Sequence, residues 1–197
     1  MQIKVLAISG SSRQGSFNTR LLEAAITAAR AQGVEVSEVI ITQLDLRTLA
    51  LPLYDGDLEA ASGLPEGAIV LKNALAAHHA VLIASPEYNG FFSPLLKNAI
   101  DWASRPQAGQ PSPFVGKVGA LLAASQGALG GIRGLPSVRQ LLSNLGVLVI
   151  PGQMALPSAQ KAFDTAGGLL DPSQQQMLER VVIELLNTAR ALQVTKG

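Results

Sequence analysis

The sequence predicts an α/β fold: a doubly wound, five-stranded parallel sheet with helices on both faces. Three observations predict it. Short apolar runs alternate with longer stretches of helical periodicity. Of the runs at 3–8, 80–84, 118–124 and 147–150, three show little polar alternation, as strands covered on both faces do. The chain is 48% hydrophobic and only 15% charged over 197 residues, enough to bury one large core as a single domain spanning 1–197.

The elements follow in order. Run 3–8 is the first strand. Phe17, Leu21, Leu22, Ala25 and Ala29 then mark one helix face, which Gly33 stops. Residues 35–41 begin polar, which suits an edge strand. An Ala-rich helix over 66–78 leads to the strand at 80–84. Ser93 and Pro94 read as N-cap and first turn of a helix striped by Leu95, Leu96, Ala99, Ile100 and Ala103. After the strand at 118–124 comes a helix over 132–144, with Pro136 near its start, and then the strand at 147–150. Asp171, Pro172 and Ser173 open the last helix. Its buried side is read as Met177, Leu178, Val181, Leu185, Leu186, Ala189 and Leu192. Stretches 43–65, 106–116 and 151–170 read as irregular, and loops this long carry function or cover a partner surface. Five strands fit a flavodoxin-like order, 2-1-3-4-5, better than a six-stranded dinucleotide fold.

Composition excludes several classes. There is no cysteine, hence no disulfide, iron–sulfur cluster, Cys-ligated zinc or thiol nucleophile. A net charge of +1 and 4% aromatic content argue against a nucleic-acid partner. No apolar run reaches the ~18–20 residues of a membrane span, and the N-terminus lacks a signal-peptide pattern, so a cytoplasmic protein is expected. Adjacent His78 and His79 lack the spacing of a helical metal pair and suit a charge role at a helix C-terminus; no metal site is expected. Asp101 and Arg105 read as an i, i+4 ion pair. Trp102 reads as packing, and Asp55, Asp57 and Glu59 as a solvated turn.

Ligands in such sheets bind outside the carboxyl ends of the strands, so the loops there carry the chemistry. The first combines Gly10 and Gly15 with Ser11, Ser12, Gln14, Ser16, Asn18 and Thr19, and adds Arg13, a planar fork matched to phosphate oxygens. A helix starting near Ser16 aims its positive end at the same spot. The dinucleotide Gly-x-Gly-x-x-Gly is absent. Gly10 and Gly15 have Walker A spacing, but Ser16 and Phe17 replace the Lys and the magnesium-binding hydroxyl. A capped helix with a polar loop is the plainer alternative; the cluster of polar side chains with Arg13 favours one phosphate, as on a mononucleotide. The second loop is Ser85-Pro86-Glu87-Tyr88-Asn89-Gly90-Phe91-Phe92. Pro86 stiffens it, Tyr88 can pack on a planar ring, and Asn89 can read ring carbonyls and nitrogens. Asn89-Gly90 is also a turn pair. Glu87 reads as a solvated carboxylate, and Phe91 and Phe92 as packing at a core edge or subunit contact. In the third loop, 125–131, glycines permit close approach to a ligand.

Together these residues resemble the NAD(P)H-dependent FMN reductase family, flavodoxin-like quinone, chromate and azo-dye reductases. The resemblance is carried by Gly10 to Asn18, by Pro86 to Gly90, by Leu96-Lys97-Asn98-Ala99-Ile100-Asp101-Trp102, by Leu51-Pro52-Leu53-Tyr54-Asp55 and by 125–131, and spans about residues 3–150. It implies an oxidoreductase with FMN as cofactor and NAD(P)H as co-substrate, passing a hydride through the flavin to a quinone, azo compound, chromate-like oxyanion or free flavin. It implies that Ser11, Arg13, Ser16, Asn18 and Thr19 hold the FMN phosphate. Pro86, Glu87, Tyr88, Asn89 and Gly90 would line the isoalloxazine, with Ser125 and Gly127 approaching from the third loop. A homodimer or homotetramer is implied, with a small-molecule electron acceptor as partner. A non-enzymatic FMN electron carrier is the alternative, although the +1 balance supplies no acidic steering field.

Overall fold

The computed structural model describes residues 2–31 and 39–194. Strand β1 (Ile3–Ser9) leads to helix α1 (Phe17–Ala31), and β2 (Val39–Asp45) precedes α2 (Gly56–Ser62) and α3 (Glu66–Ala77). Then come β3 (Ala80–Ala84), the short strands β4 (Glu87–Tyr88) and β5 (Phe91–Phe92), and α4 (Pro94–Ser104). Strand β6 (Val118–Ala124), α5 (Leu135–Asn144), β7 (Leu148–Leu156) and α6 (Pro172–Val194) complete the chain.

The main sheet runs β2-β1-β3-β6-β7 with every pair parallel. Its strands in chain order give the expected flavodoxin-like 2-1-3-4-5. Every residue of β3 and β6 is buried, as is all of β1 except Lys4. Helices cover both faces. Leu22 of α1 and Leu185 of α6 pack with Val5, Leu82 and Leu122 on one side. Leu71 of α3, Leu96 of α4 and Val138 of α5 pack with Leu6, Ile83 and Leu121 on the other. Among the described residues no helix is long and apolar enough to cross a membrane.

Several expectations need correction. Stretch 43–65 is not irregular: β2 runs to Asp45, a 3-10 turn follows at Leu46–Leu49, and α2 comes next. Aspartates start both helical pieces. Asp45 accepts from the Arg47 amide at 2.9 Å and Asp55 from the Asp57 amide at 2.8 Å. Helix α2 buries none of its residues, so it leaves no apolar stripe in the sequence. Strand β7 continues through Pro151 to Leu156 rather than ending at 150. It lies at the sheet edge and bulges there: Gly119 faces Val149, but Leu121 faces Gln153. An edge bulge tolerates the missing proline N–H, and Arg139 donates to the carbonyls of Val149 at 3.1 Å and Ile150 at 2.7 Å. Met177 is half exposed, because the buried stripe of α6 runs instead through Leu178, Val181, Val182, Leu185, Leu186 and Ala189. Asp101 pairs with Lys97, one turn back on α4; Arg105 leaves the helix in extended conformation and pairs with Glu59.

His78 lies at the end of α3, where its Nδ1 bonds the Ala74 carbonyl at 2.6 Å. His79 turns to β1 instead, its Nδ1 accepting the Lys4 amide at 3.1 Å. The expected helix stop at Gly33 and the first part of the edge strand, 35–38, lie outside the described residues.

Helix α3 crosses the 3-10 turn at Gly67, where an added Cβ would lie 2.0 Å from the Leu49 carbonyl oxygen. In an open helix Gly→Ala stabilises by roughly 0.5–1 kcal/mol. Here the sign reverses, and Gly67→Ala should lower stability by about 1–3 kcal/mol. Urea unfolding measures it; a midpoint at or above that of the parent protein contradicts the close crossing.

Candidate functional site

Strands β1, β3 and β6 end side by side at Ser9, Ala84 and Ala124, and three loops rise from those ends. The first loop is pinned from two directions. The Gly10 amide donates to the Ala84 carbonyl at 2.8 Å, and the Gly10 carbonyl accepts from Ser93 Oγ at 2.5 Å. A Cβ on Gly10 would stand 3.1 Å from Leu96 Cβ, so the glycine is needed for contact with α4. Ser16 is buried and caps α1, its Oγ accepting from the amides of Asn18 at 3.2 Å and Thr19 at 3.4 Å. Thr19 Oγ1 and Ser9 Oγ share a hydrogen bond of 2.9 Å, and buried Ser11 accepts from the Arg13 amide at 3.3 Å.

Between these anchors the amides of Ser12, Gln14, Gly15, Ser16 and Phe17 make no hydrogen bond among the described residues. Gln14, Gly15 and Ser16 line one cavity with Arg13 ahead of α1, and Gly15, at φ 65°, makes the turn there. Arg13 is exposed, with its guanidinium 5.8 Å from the Phe17 ring and no carboxylate paired with it among the described residues. A cavity of about 350 Å³ opens beside the loop, lined by Arg13, Gln14, Gly15, Ser16, Thr19, Arg20, Glu23 and Arg47.

Asn18 faces inward. It is 4% exposed and exchanges two 3.0 Å hydrogen bonds with Ala124, donating to its carbonyl and accepting its amide. That partner is 106 residues away, and nothing in the local pattern points to it.

The second loop begins with buried Ser85 and Pro86, and the Ser85 amide is held by the Leu122 carbonyl at 2.9 Å. Strands β4 and β5 then pair as a hairpin through Asn89 and Gly90, at φ 53° and 83°. Two positive φ values make the turn that matches strand twist, so Asn-Gly has a backbone reason to be there. Tyr88, Asn89 and Phe91 are exposed. Phe92 and Trp102 are buried, so of the aromatic residues following the turn only Phe91 presents a surface. Glu87 is not solvated: its side chain is 8% exposed and bonded to Arg133. The hairpin rests on 131–134, where glycines allow close contact. A Cβ on Gly134 would meet the Phe91 carbonyl at 3.2 Å. Arg133 carries no motif signal in the sequence.

In the third loop, Ser125 is half-buried, with its amide on the Leu156 carbonyl at 3.1 Å; Gly127 is exposed, its carbonyl accepting from Gly130 and Ser158 amides at 3.3 Å each. The strict glycine demand is at Gly130, at φ 63°, where a Cβ would lie 2.7 Å from the Leu156 carbonyl carbon. Packing against β7, not ligand approach, fixes that glycine.

A strap over 51–55 flanks the edge. Asn98 clamps it, accepting from the Tyr54 amide and donating to the Pro52 carbonyl, both at 2.8 Å; Trp102 Nε1 also donates to Pro52 at 2.8 Å. Glu59, rather than sitting in a solvated turn, accepts from Tyr54 Oη at 2.9 Å and Arg105 Nε at 3.0 Å. Arg105 holds the Glu59 carboxyl below its ordinary pKa, and Glu59 in turn pushes the Tyr54 phenol up.

The family description "NADPH-dependent FMN reductase" matches residues 3–161. An NAD(P)H-dependent FMN reductase of Pseudomonas aeruginosa is 38% identical over 180 residues, covering 90% of each chain. A probable NADPH:quinone oxidoreductase of rice, Oryza sativa, is 34% identical over 97% of this chain and 91% of its own. Among solved structures, FerB, a flavoenzyme NAD(P)H:(acceptor) oxidoreductase from Paracoccus denitrificans, superposes with a TM-score of 0.81 at 26% identity, covering 96% of this chain and 98% of its own.

The Glu59 cluster gives a pH prediction. Its folded pKa is lowered, so its contribution is present above the unfolded value of ~4.3 and is lost as pH falls through the folded one. Glu59→Gln should therefore be less stable than the parent protein at pH 7, and the gap should close on acidification towards pH ~3. A gap that stays constant across that range contradicts the pairing.

Proposed function

The chain belongs to the NADPH-dependent FMN reductase family, whose members are NAD(P)H-dependent flavin oxidoreductases, and from that premise we propose how its edge is used and which acceptor it takes. The first loop holds the FMN phosphate, the second and third flank the isoalloxazine ring, and the acceptor is a quinone. One observation carries the reading: the amides of Ser12, Gln14, Gly15, Ser16 and Phe17, which lead into α1, have no hydrogen-bond partner among the described residues, and Arg13 beside them has no carboxylate partner there, a donor set that fits a dianionic phosphate.

Ser11, Arg13, Ser16 and Thr19 sit around those amides and would hold the phosphate. Asn18 serves differently, because both its polar groups are engaged with Ala124; it holds the loop in place. Pro86, Tyr88, Asn89 and Gly90 would line the ring, with Ser125 and Gly127 opposite. Glu87 contributes its backbone, since its carboxylate is turned to Arg133. When bound, FMN supplies hydride acceptance and donation, and the chain supplies binding and orientation.

An apolar rim favours a quinone over an oxyanion. Tyr88, Phe91, Leu129 and Ile132, exposed by 44–56%, surround the hairpin and the third loop. Such a rim suits a flat, weakly charged molecule. Relatives named as quinone reductases, including a 2-hydroxy-1,4-benzoquinone reductase of a Burkholderia at 32% identity, support the same class. Exposed Phe91 and the strap residue Leu53, 81% exposed, support a homodimer or homotetramer.

Two measurements test the site and the acceptor. Arg13→Ala should weaken FMN roughly ten- to hundredfold, the worth of a charge-assisted contact, and leave riboflavin unchanged. Equal loss for both flavins removes the phosphate from the first loop. With NADPH as donor, kcat/KM for a benzoquinone should exceed that for chromate or an azo dye by about tenfold or more; a preference for chromate would overturn the acceptor. For assembly, sedimentation at micromolar concentration should show a dimer or tetramer, and a monomer would contradict it.

A further inference from the structure

We propose that Arg133 is a positioning residue for the flavin ring: through Glu87 it fixes how the second loop stands against the third. The proposal rests on the reading that the ring lies between those loops.

Glu87 is drawn out of solvent by a single residue. Its Oε1 accepts from Arg133 Nε at 2.7 Å and lies 2.5 Å from Nη2, while its Oε2 accepts from the Arg133 amide at 3.0 Å. The pair is asymmetric, with side-chain exposure of 8% for Glu87 and 63% for Arg133. Exposed ion pairs hold little, but a carboxylate taken from water needs donors in fixed geometry. Here a backbone amide and a planar guanidinium supply them together.

The bonded elements are the two that matter for the ring. Glu87 opens β4, which carries Tyr88 into the Asn89-Gly90 turn. Arg133 lies in the 3-10 turn Ile132–Gly134, directly after the third loop. The apolar anchor of the hairpin is on the other strand: Phe92 of β5 is buried, and its ring stacks on Phe91 at 4.6 Å, within the hairpin. Among the described residues the Glu87–Arg133 bonds are the only side-chain hydrogen bonds joining the hairpin to 125–134. Gly131 and Gly134 bring this backbone against Glu87, whose Cβ would be in van der Waals contact with a Cβ at either position, and at Gly134 a Cβ would crowd the Phe91 carbonyl at 3.2 Å. The contact sets the spacing and the ion pair sets the orientation. Misplacement of a site loop by about 1 Å is costly for binding.

Flavin binding to apoprotein, followed by quenching of flavin fluorescence, tests the role. Arg133→Ala keeps the backbone amide and removes the guanidinium with its alkyl stem. It should weaken FMN and riboflavin by the same factor, about tenfold, whereas a phosphate contact would spare riboflavin. Arg133→Lys keeps the charge but not the planar fork and should recover only part of the affinity. The visible circular dichroism of bound flavin should change in Arg133→Ala and return in part in Arg133→Lys, which a general loss of stability would not produce. Glu87→Gln, nearly isosteric, should weaken both flavins several-fold and carries the test if Arg133→Ala does not fold. Parent-like affinity and dichroism in Arg133→Ala, or a loss confined to FMN, overturns the proposal. Tyr88→Ala separates the two readings. If it weakens riboflavin while Arg133→Ala does not, only the positioning role falls. If neither variant weakens riboflavin, the ring is not between these loops and both readings fall.

Discussion

Asn18 and Ala124 exchange two hydrogen bonds of 3.0 Å, and the carboxyl edge of the sheet is organised around them. The amide of Asn18 reproduces the donor–acceptor pair that a neighbouring strand would offer, so β6 ends without orphaned backbone groups. The same bonds fix the first turn of α1. With the Gly10 carbonyl held by Ser93 and the Ser16 hydroxyl capping the helix, the first loop is anchored at both ends. Five amides between the anchors then remain open. An unpaired row of donors is tolerable at the surface, where water satisfies it, and it is ready for an anion without rearrangement.

The second loop and the strap over 51–55 follow the same logic. Each is tied by polar contacts to an element far away in sequence, and each tie leaves one surface free. Glu87 reaches Arg133 across 46 residues, and Asn98 reaches Tyr54 across 44. Glycines supply the close packing beneath, most strictly at Gly130 against β7 and at Gly131 against Ala123, and also at Gly134 beneath the hairpin. The result is an edge whose backbone is fixed while Tyr88, Leu129 and Ile132 stay exposed around it. This is the preorganisation expected where a cofactor performs the chemistry and the chain places it.

Much of this is legible in the sequence, for identifiable reasons. Strands β1, β3 and β6 are buried on both faces, so their apolar runs stand out and fix the sheet order through the intervening helices. The phosphate-type loop and the Asn89-Gly90 turn are local, and local chemistry reads locally. What was missed is either solvated or distant. Helix α2 has no buried residue, so no stripe betrays it. Strand β7 passes through Pro151, which reads as a stop, because the tolerance of a sheet edge is not written in the residues themselves. Asn18 reads as one more polar group in a polar loop, and Glu87 as a solvated acid, because their partners, Ala124 and Arg133, are brought near only by folding.

Amide-resolved nuclear magnetic resonance of the apoprotein tests directly whether the open amides of the first loop receive the cofactor's phosphate. Titrated with FMN, the amides of Ser12, Gln14, Gly15, Ser16 and Phe17 should shift strongly and become protected from hydrogen exchange. Titrated with riboflavin, which lacks the phosphate, they should stay near their free positions while Tyr88 to Gly90 still respond. If both flavins move the first-loop amides alike, or neither moves them, the phosphate lies elsewhere and the account is wrong.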